Sequence, residues 1–193
     1  CDRLVVTTEP LADLYRRFAA DVRVVPNHLE AWRWQGLKSL RRQGRRPRVG
    51  WAGAEQHHGD LEWLAPVVRG LASEVDWVFM GMCPAELRPY VAEFHDPVPF
   101  DAYPAKLASL NLDLAIAPLE VHPFNECKSD LRILEYGALG WPVVATDIHP
   151  YRGKPVTLLP NEQGRWVEAI RERVHDLDAL AAEGDRLKAW VLR

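Results

Sequence analysis

From about residue 47 to residue 193 the sequence predicts an α/β fold, a parallel sheet with helices on both faces. Three observations predict it. Short apolar runs rich in β-branched and aromatic residues recur at 49–52, 75–80, 112–117 and 143–146. The segments between them carry apolar residues at helical spacing, and the connecting loops are short and marked by Gly, Pro or Asn. Strands alternating with helices in this way form parallel sheets through right-handed crossovers.

The elements follow in order. Leu4-Val-Val-Thr7 reads as a buried strand. Thr8 and Pro10 then open a helix carrying Leu11, Leu14, Tyr15 and Phe18, and Val22-Arg-Val-Val25 is the next strand. This partial N-terminal strand-helix-strand unit is too small to cover both faces of a sheet. Residues 29–46 run through Trp32 and Trp34 into Lys38, Arg41, Arg42, Arg45 and Arg46, a solvated linker rather than a phosphate-binding surface. Pro47 marks a boundary. The predicted organisation is therefore 1–46, a remnant of an N-terminal domain with its linker, and 47–193, the main domain.

In the main domain Val49-Gly-Trp-Ala52 is the first strand, and Asp60 is expected to cap a helix carrying Leu61, Leu64, Val67, Val68 and Leu71. Residues 75–80 form the second strand, and Pro84 starts a helix through Leu87, Tyr90 and Val91. Val98-Pro-Phe100 suits a third, edge strand. Pro104 opens a helix, 112–117 is a strand buried on both faces, and Asn125 or Ser129 caps the helix that follows. Strands at 143–146 and 156–159 and a helical end from 162 to 193 complete the chain. Six strands in this order make a Rossmann-like domain. Its ligands lie beyond the carboxyl ends of the first and fourth strands, where the strand order reverses. Those ends are residues 50–59 and 118–129.

Composition narrows the function classes. A hydrophobic content of 48% with 26% charged residues is that of a globular protein, not a disordered one. A net charge of −3 without a basic tail argues against general binding of nucleic acid or membrane surfaces. Cys1, Cys83 and Cys127 make neither a disulfide framework nor a zinc motif, which favours a reducing, cytoplasmic setting. No apolar run nears the roughly 20 residues that span a bilayer. The chain opens without Met inside an apolar strand, so the expectation is a piece of a longer protein. Any association with the inner membrane is assigned to the absent part.

Two loops carry the chemistry. The first has Gly53 and Gly59, which allow close backbone approach to a ligand, but it is neither a dinucleotide nor a Lys-Ser/Thr phosphate motif. His57 and His58 are either exposed loop residues or contacts to a sugar or diphosphate, and no third ligand for a metal is in reach by spacing. In the second loop Lys128 places a point charge at a helix start, where backbone N–H groups favour a phosphate. Glu135, seven positions on, is expected on the same face. It either accepts hydrogen bonds from a ribose diol or is an exposed Glu paired with Arg132 or Lys128. Gly137 hints at close packing or ligand approach. Cys127 has no evident base and reads as a packing residue, Asp113 as structural, and Asp147 as a group able to meet the site.

The segment Pro123-Phe-Asn-Glu-Cys-Lys-Ser-Asp-Leu-Arg-Ile-Leu-Glu-Tyr-Gly-Ala-Leu-Gly-Trp-Pro-Val-Val-Ala-Thr146 resembles the donor-binding stretch of bacterial group 1 (family 4) glycosyltransferases of GT-B fold. The likeness extends over residues 48–193, which would be the C-terminal half of that fold. It implies that Glu135 binds the nucleotide ribose and that Lys128 and Ser129 hold the diphosphate of a UDP- or GDP-linked sugar. The loop from Gly53 to Gly59 would close over the phosphates. It further implies a metal-independent, retaining transfer to a hydroxyl acceptor, with no cofactor, in surface polysaccharide or glycoconjugate synthesis. The acceptor would be held by an N-terminal domain. One departure stands out. A Glu usually found eight positions before the second Glu is replaced by Cys127, leaving Glu126 or Asn125 to read sugar hydroxyls. The Arg/Lys pair usual after the first strand is replaced by His57 and His58. Two alternatives remain open: a nucleotide-sugar 2-epimerase, and a non-catalytic domain that binds glycans or protein partners.

Overall fold

The computed structural model describes residues 2–193, so Cys1 lies outside it. Two parallel sheets are present. The smaller pairs β1 (Leu4–Val6) with β2 (Val22–Val24) through helix α1 (Glu9–Tyr15). Thr8 caps α1 by accepting from the Leu11 N–H at 3.4 Å, and Pro10 fits the first turn, where its missing N–H costs nothing. A short helix, α2 (Ala31–Trp34), leads out of this unit.

The larger sheet holds β3 (Arg48–Ala52), β4 (Asp76–Met80), β5 (Glu93–His95), β6 (Leu114–Ala117), β7 (Val143–Thr146) and β8 (Thr157–Leu159). All are parallel, in the order β5-β4-β3-β6-β7-β8. β3, β6 and β7 are buried along their whole length, as strands covered on both faces must be. One face carries α3 (His58–Leu71) and α7 (Gln163–His175) over a core that includes Trp51, Trp77, Phe79 and Trp166. The other carries α4 (Tyr103–Ala108), α6 (Leu131–Ala138) and α8 (Leu177–Val191) over Val78, Leu107, Ile133 and Trp141. The buried indoles keep hydrogen bonds: Trp77 donates to the Val68 carbonyl and Trp166 to that of Pro160, both at 3.0 Å.

The basic linker is strapped to this domain. Arg41 reaches Asp185 at 2.6 Å and the Gly140 carbonyl at 3.0 Å, while Arg42 pairs with Asp178. Asp113 is structural, accepting from the Arg42 and Arg48 amides at 2.6 and 2.9 Å.

Four expectations are corrected. The third strand is Glu93–His95, not 98–100. Pro97 and Pro99 have no N–H for a ladder, whereas Glu93 lies in register with Val78 and its carboxylate grips Arg48 through two bonds of 2.6 and 2.9 Å. The helix expected after Pro84 is only a tight turn at Arg88–Tyr90, because Pro89 cannot supply an α-helical N–H. α3 begins at His58, with His57 at its cap, so Asp60 does not cap it. The helix after β6 is split into α5 (Pro123–Glu126) and α6. Neither Asn125 nor Ser129 caps α6, since both side chains are engaged elsewhere, and Asp130 takes the cap position.

Candidate functional site

The strand order reverses between β3 and β6, and the loops leaving their carboxyl ends flank a cleft of about 250 Å³. Trp51 and His57 line it from the β3 side and Pro118, Lys128 and Ser129 from the β6 side. Arg132 and Glu135 of α6, Tyr103 of α4 and Tyr151 complete the wall. An adjoining cavity of about 460 Å³ shares His57 and Lys128 and adds Gly59, Asp60 and Asn125. A third cavity, about 470 Å³, lies between residues 28–37 and the ends of α6 and α8, away from both loops.

Buried polar groups hold the two loops in place. Asp60 is the central clamp: one carboxylate oxygen meets His57 Nδ1 at 2.8 Å and the other accepts from the Glu120 amide at 2.6 Å. Thr146 accepts from the Leu119 amide at 2.9 Å, and Asn161 donates to the Leu119 carbonyl at 2.8 Å. The Tyr136 hydroxyl accepts from the Ala52 amide at 3.0 Å, fastening α6 to the end of β3. Two bonds come from the N-terminal unit. Thr8 donates to the Cys127 carbonyl at 2.7 Å, and Asn27 to the Ser129 hydroxyl at 2.8 Å.

Two cations line the cleft with no carboxylate within ion-pair distance among the described residues. Among the described residues Arg132 has one hydrogen bond, donated to the Tyr136 hydroxyl at 3.3 Å, and its guanidinium lies 5.9 Å from the Trp51 ring centre. Lys128 Nζ sits 5.3 Å over the Phe124 ring. Burial lowers the Lys128 pKa and the charge of Arg132 adds to this, against the attraction of Asp60. A cation held in this way is available to an anion entering the cleft. Glu135 lies three residues beyond Arg132 on α6. One of its oxygens, Oε2, accepts from the Tyr103 hydroxyl at 3.0 Å, and Oε1 has no partner among the described residues. Burial pushes the Glu135 pKa up, while Arg132 and the Tyr103 hydrogen bond pull it down.

The structure brings some of the expected site residues together and leaves others apart. His57, Lys128, Ser129 and Glu135 line the cleft, and Gly59 and Asn125 line the cavity beside it. Lys128 does not share a helical face with Glu135, because it precedes α6; the turn at 127–130 aims it at the same space. Asn125 is buried and donates to the Glu120 carbonyl at 2.8 Å, closing the loop on itself. Gly53 packs under the Trp51 ring, where a side chain would collide. His58 points outward to Glu62, 3.5 Å away, and Glu126 accepts from the His149 amide at 2.9 Å outside both cavities. Asp147 pairs with Arg152 at 2.6 Å, also outside. Burial and Glu126 raise the Cys127 thiol, which fits packing rather than attack. Gly137 is explained by packing, since a Cβ there would stand 2.6 Å from Val191. Among the described residues no group of three or more His, Cys, Asp or Glu is placed to hold a metal ion.

Sequence reasoning had Arg132 only as a partner for Glu135, and it missed Tyr103 entirely. The i,i+3 spacing of Arg132 and Glu135 was a usable signal. Tyr103, 32 residues before Glu135, left none.

The architecture can be compared with solved structures. A complex of HepE from Anabaena with UDP and glucose superposes with a TM-score of 0.72 at 14% identity, over 99% of this chain and 58% of that one. The GT-B glycosyltransferase fold is therefore present. This chain is its Rossmann-like C-terminal half, joined to the small N-terminal sheet. Sucrose-phosphate synthase from Thermosynechococcus elongatus matches with a TM-score of 0.67 at 13% identity, over 98% of this chain and 53% of that one. TarM of S. aureus, crystallised with Fondaparinux, alpha-GlcNAc-glycerol and UDP, gives 0.67 at 17% identity, over 97% and 40%. The chain thus spans about half the length of the solved structures it matches. No protein-family model and no curated protein matches it by sequence.

Proposed function

We propose that this chain is the donor-binding domain of a glycosyltransferase that takes a UDP- or GDP-linked sugar and transfers the sugar, with retention, to a hydroxyl acceptor. One observation carries the reading: Arg132 and Lys128, two cations without a carboxylate partner among the described residues, line the same cleft as Glu135, a carboxylate with one oxygen unpartnered among them. A diphosphate needs the cations and a ribose diol needs the carboxylate. Arg132 offers a planar fork to two phosphate oxygens and Lys128 a point charge. Both are partly withdrawn from water, which strengthens their hold on the charge that builds on the departing diphosphate. The cleft's position at the strand-order reversal, and the UDP present in the HepE and TarM complexes, support the same assignment.

Transfer also needs an acceptor held across the cleft, and the described residues up to 46 form a two-stranded sheet with two short helices, α1 and α2. The chain by itself is expected to bind donor without turning it over. No helix of the described residues is long and apolar enough to cross a membrane. Titration with UDP, GDP and their sugar conjugates, followed by tryptophan fluorescence, to which Trp51 in the cleft wall contributes, tests the proposal. A saturable change is expected with at least one nucleotide. A flat response to all of them would leave a non-catalytic domain as the better reading.

A further inference from the structure

Arg132 and Glu135 stand at i,i+3 on α6, the spacing at which opposite charges on a helix pair. They do not pair here: Arg132 bonds to the Tyr136 hydroxyl, and Glu135 bonds to the Tyr103 hydroxyl at 3.0 Å. Tyr103 comes from the start of α4, on a separate element. Its ring is fixed edge-on against Trp34 of α2, with centroids 6.4 Å apart and planes at 76°. Pro104, next in the chain, sets the backbone of the first turn. A hydroxyl anchored this way holds one carboxylate oxygen, while the other has no partner among the described residues and Glu135 lines the cleft.

We propose that Tyr103 is a positioning residue for nucleotide selectivity: by holding Glu135 off Arg132 it keeps the carboxylate free for a ribose 2′-hydroxyl and the guanidinium free for the diphosphate. This rests on the proposed donor site and deepens it. Without the Tyr103 hydroxyl, Glu135 is released to swing onto Arg132. The ion pair so formed occupies both ligand-binding groups at once, and the protein loses its preference for ribose over deoxyribose.

The test compares the dissociation constants of UDP with 2′-deoxy-UDP, and of GDP with 2′-deoxy-GDP, in four proteins: wild type, Tyr103→Phe, Glu135→Ala and the double variant. Phe keeps the ring against Trp34, and a thermal melt checks that the fold is retained. Wild type should prefer the ribonucleotide by about 10-fold or more, the value of a hydrogen bond to a charged group. Tyr103→Phe should reduce that preference to about 3-fold or less, and should change nothing further once Glu135 is Ala, because Tyr103 acts through Glu135. A Tyr103→Phe protein that keeps the wild-type preference overturns this inference and leaves the donor site standing. So does a Tyr103→Phe effect that persists in the Glu135→Ala background, which would mark Tyr103 as a direct contact or a packing group. A wild-type protein that binds no nucleotide overturns both the donor site and this inference.

Discussion

Replacing Arg132 with Met separates a ligand-binding cation from a structural one, because the two roles show in different assays. Met is of similar reach and apolar, so the space beside Trp51 and Tyr136 stays filled. In the unliganded protein the substitution removes a half-buried guanidinium whose one hydrogen bond is to a phenol, at 3.3 Å. It also removes the positive charge that holds the Glu135 carboxyl down. Burial pushes that carboxyl up while Arg132 pulls it down, so losing Arg132 moves its pKa further up. The two changes largely offset, and the unliganded melting temperature should stay within about 2–4 °C of wild type, equivalent to about 1 kcal/mol for a chain of this size. Binding behaves differently. A charge-assisted bond to phosphate contributes about 1.5–3 kcal/mol, so the dissociation constant for UDP or GDP should rise about 10- to 100-fold. Titration calorimetry gives the affinity and thermal unfolding gives the stability. Unchanged affinity, or a melting temperature that falls by more than about 8 °C, would refute the assignment, the second by showing that Arg132 holds the fold.

Three further substitutions test the packing and the edge of the sheet. Gly184 of α8 packs on the backbone of Gly140, where a methyl group would meet a carbonyl oxygen that has no flexible end to move aside. Gly184→Ala should therefore destabilise by about 1–3 kcal/mol despite the better helix propensity of Ala. Gly70, in the last turn of α3, has open space around it, and Gly70→Ala should stabilise by about 0.5 kcal/mol; equal effects of the two in denaturant titrations would contradict the packing seen here. Arg48 holds the Glu93 carboxyl down, from its ordinary 4.5 to about 2. The resulting stability is present above pH 4.5 and is lost as pH falls toward about 2. Glu93→Gln should cost about 1 kcal/mol at neutral pH, a modest value because the Glu93 side chain is 43% exposed, and the difference should vanish near pH 2; a pH-independent gap would assign it to packing instead.

The sequence by itself determined the class of fold and the end of the sheet that matters. The runs at 49–52, 112–117 and 143–146 are apolar on both faces of a strand, and their positions in the alternation identified β3 and β6 as the pair to watch. Burial on two faces leaves a pattern that needs no neighbours to interpret. β5 left no such pattern. Glu-Phe-His is an unremarkable triplet until Arg48, 45 residues earlier, supplies the two bonds that hold Glu93 at the sheet edge. Lys128 could be singled out from the sequence because a charge beside a helix start has a local physical meaning, and the structure places it with Glu135 along one cleft. The division of the helix into α5 and α6 was not legible there, since it depends on Asn125 and Ser129 spending their side chains on Glu120 and on Asn27 of the N-terminal unit. Only the tertiary structure decided that Arg132 and Glu135 stand unpaired side by side. The reason is a phenol from α4, and no rule of spacing along the chain predicts which side chain will come between two charges that would otherwise meet.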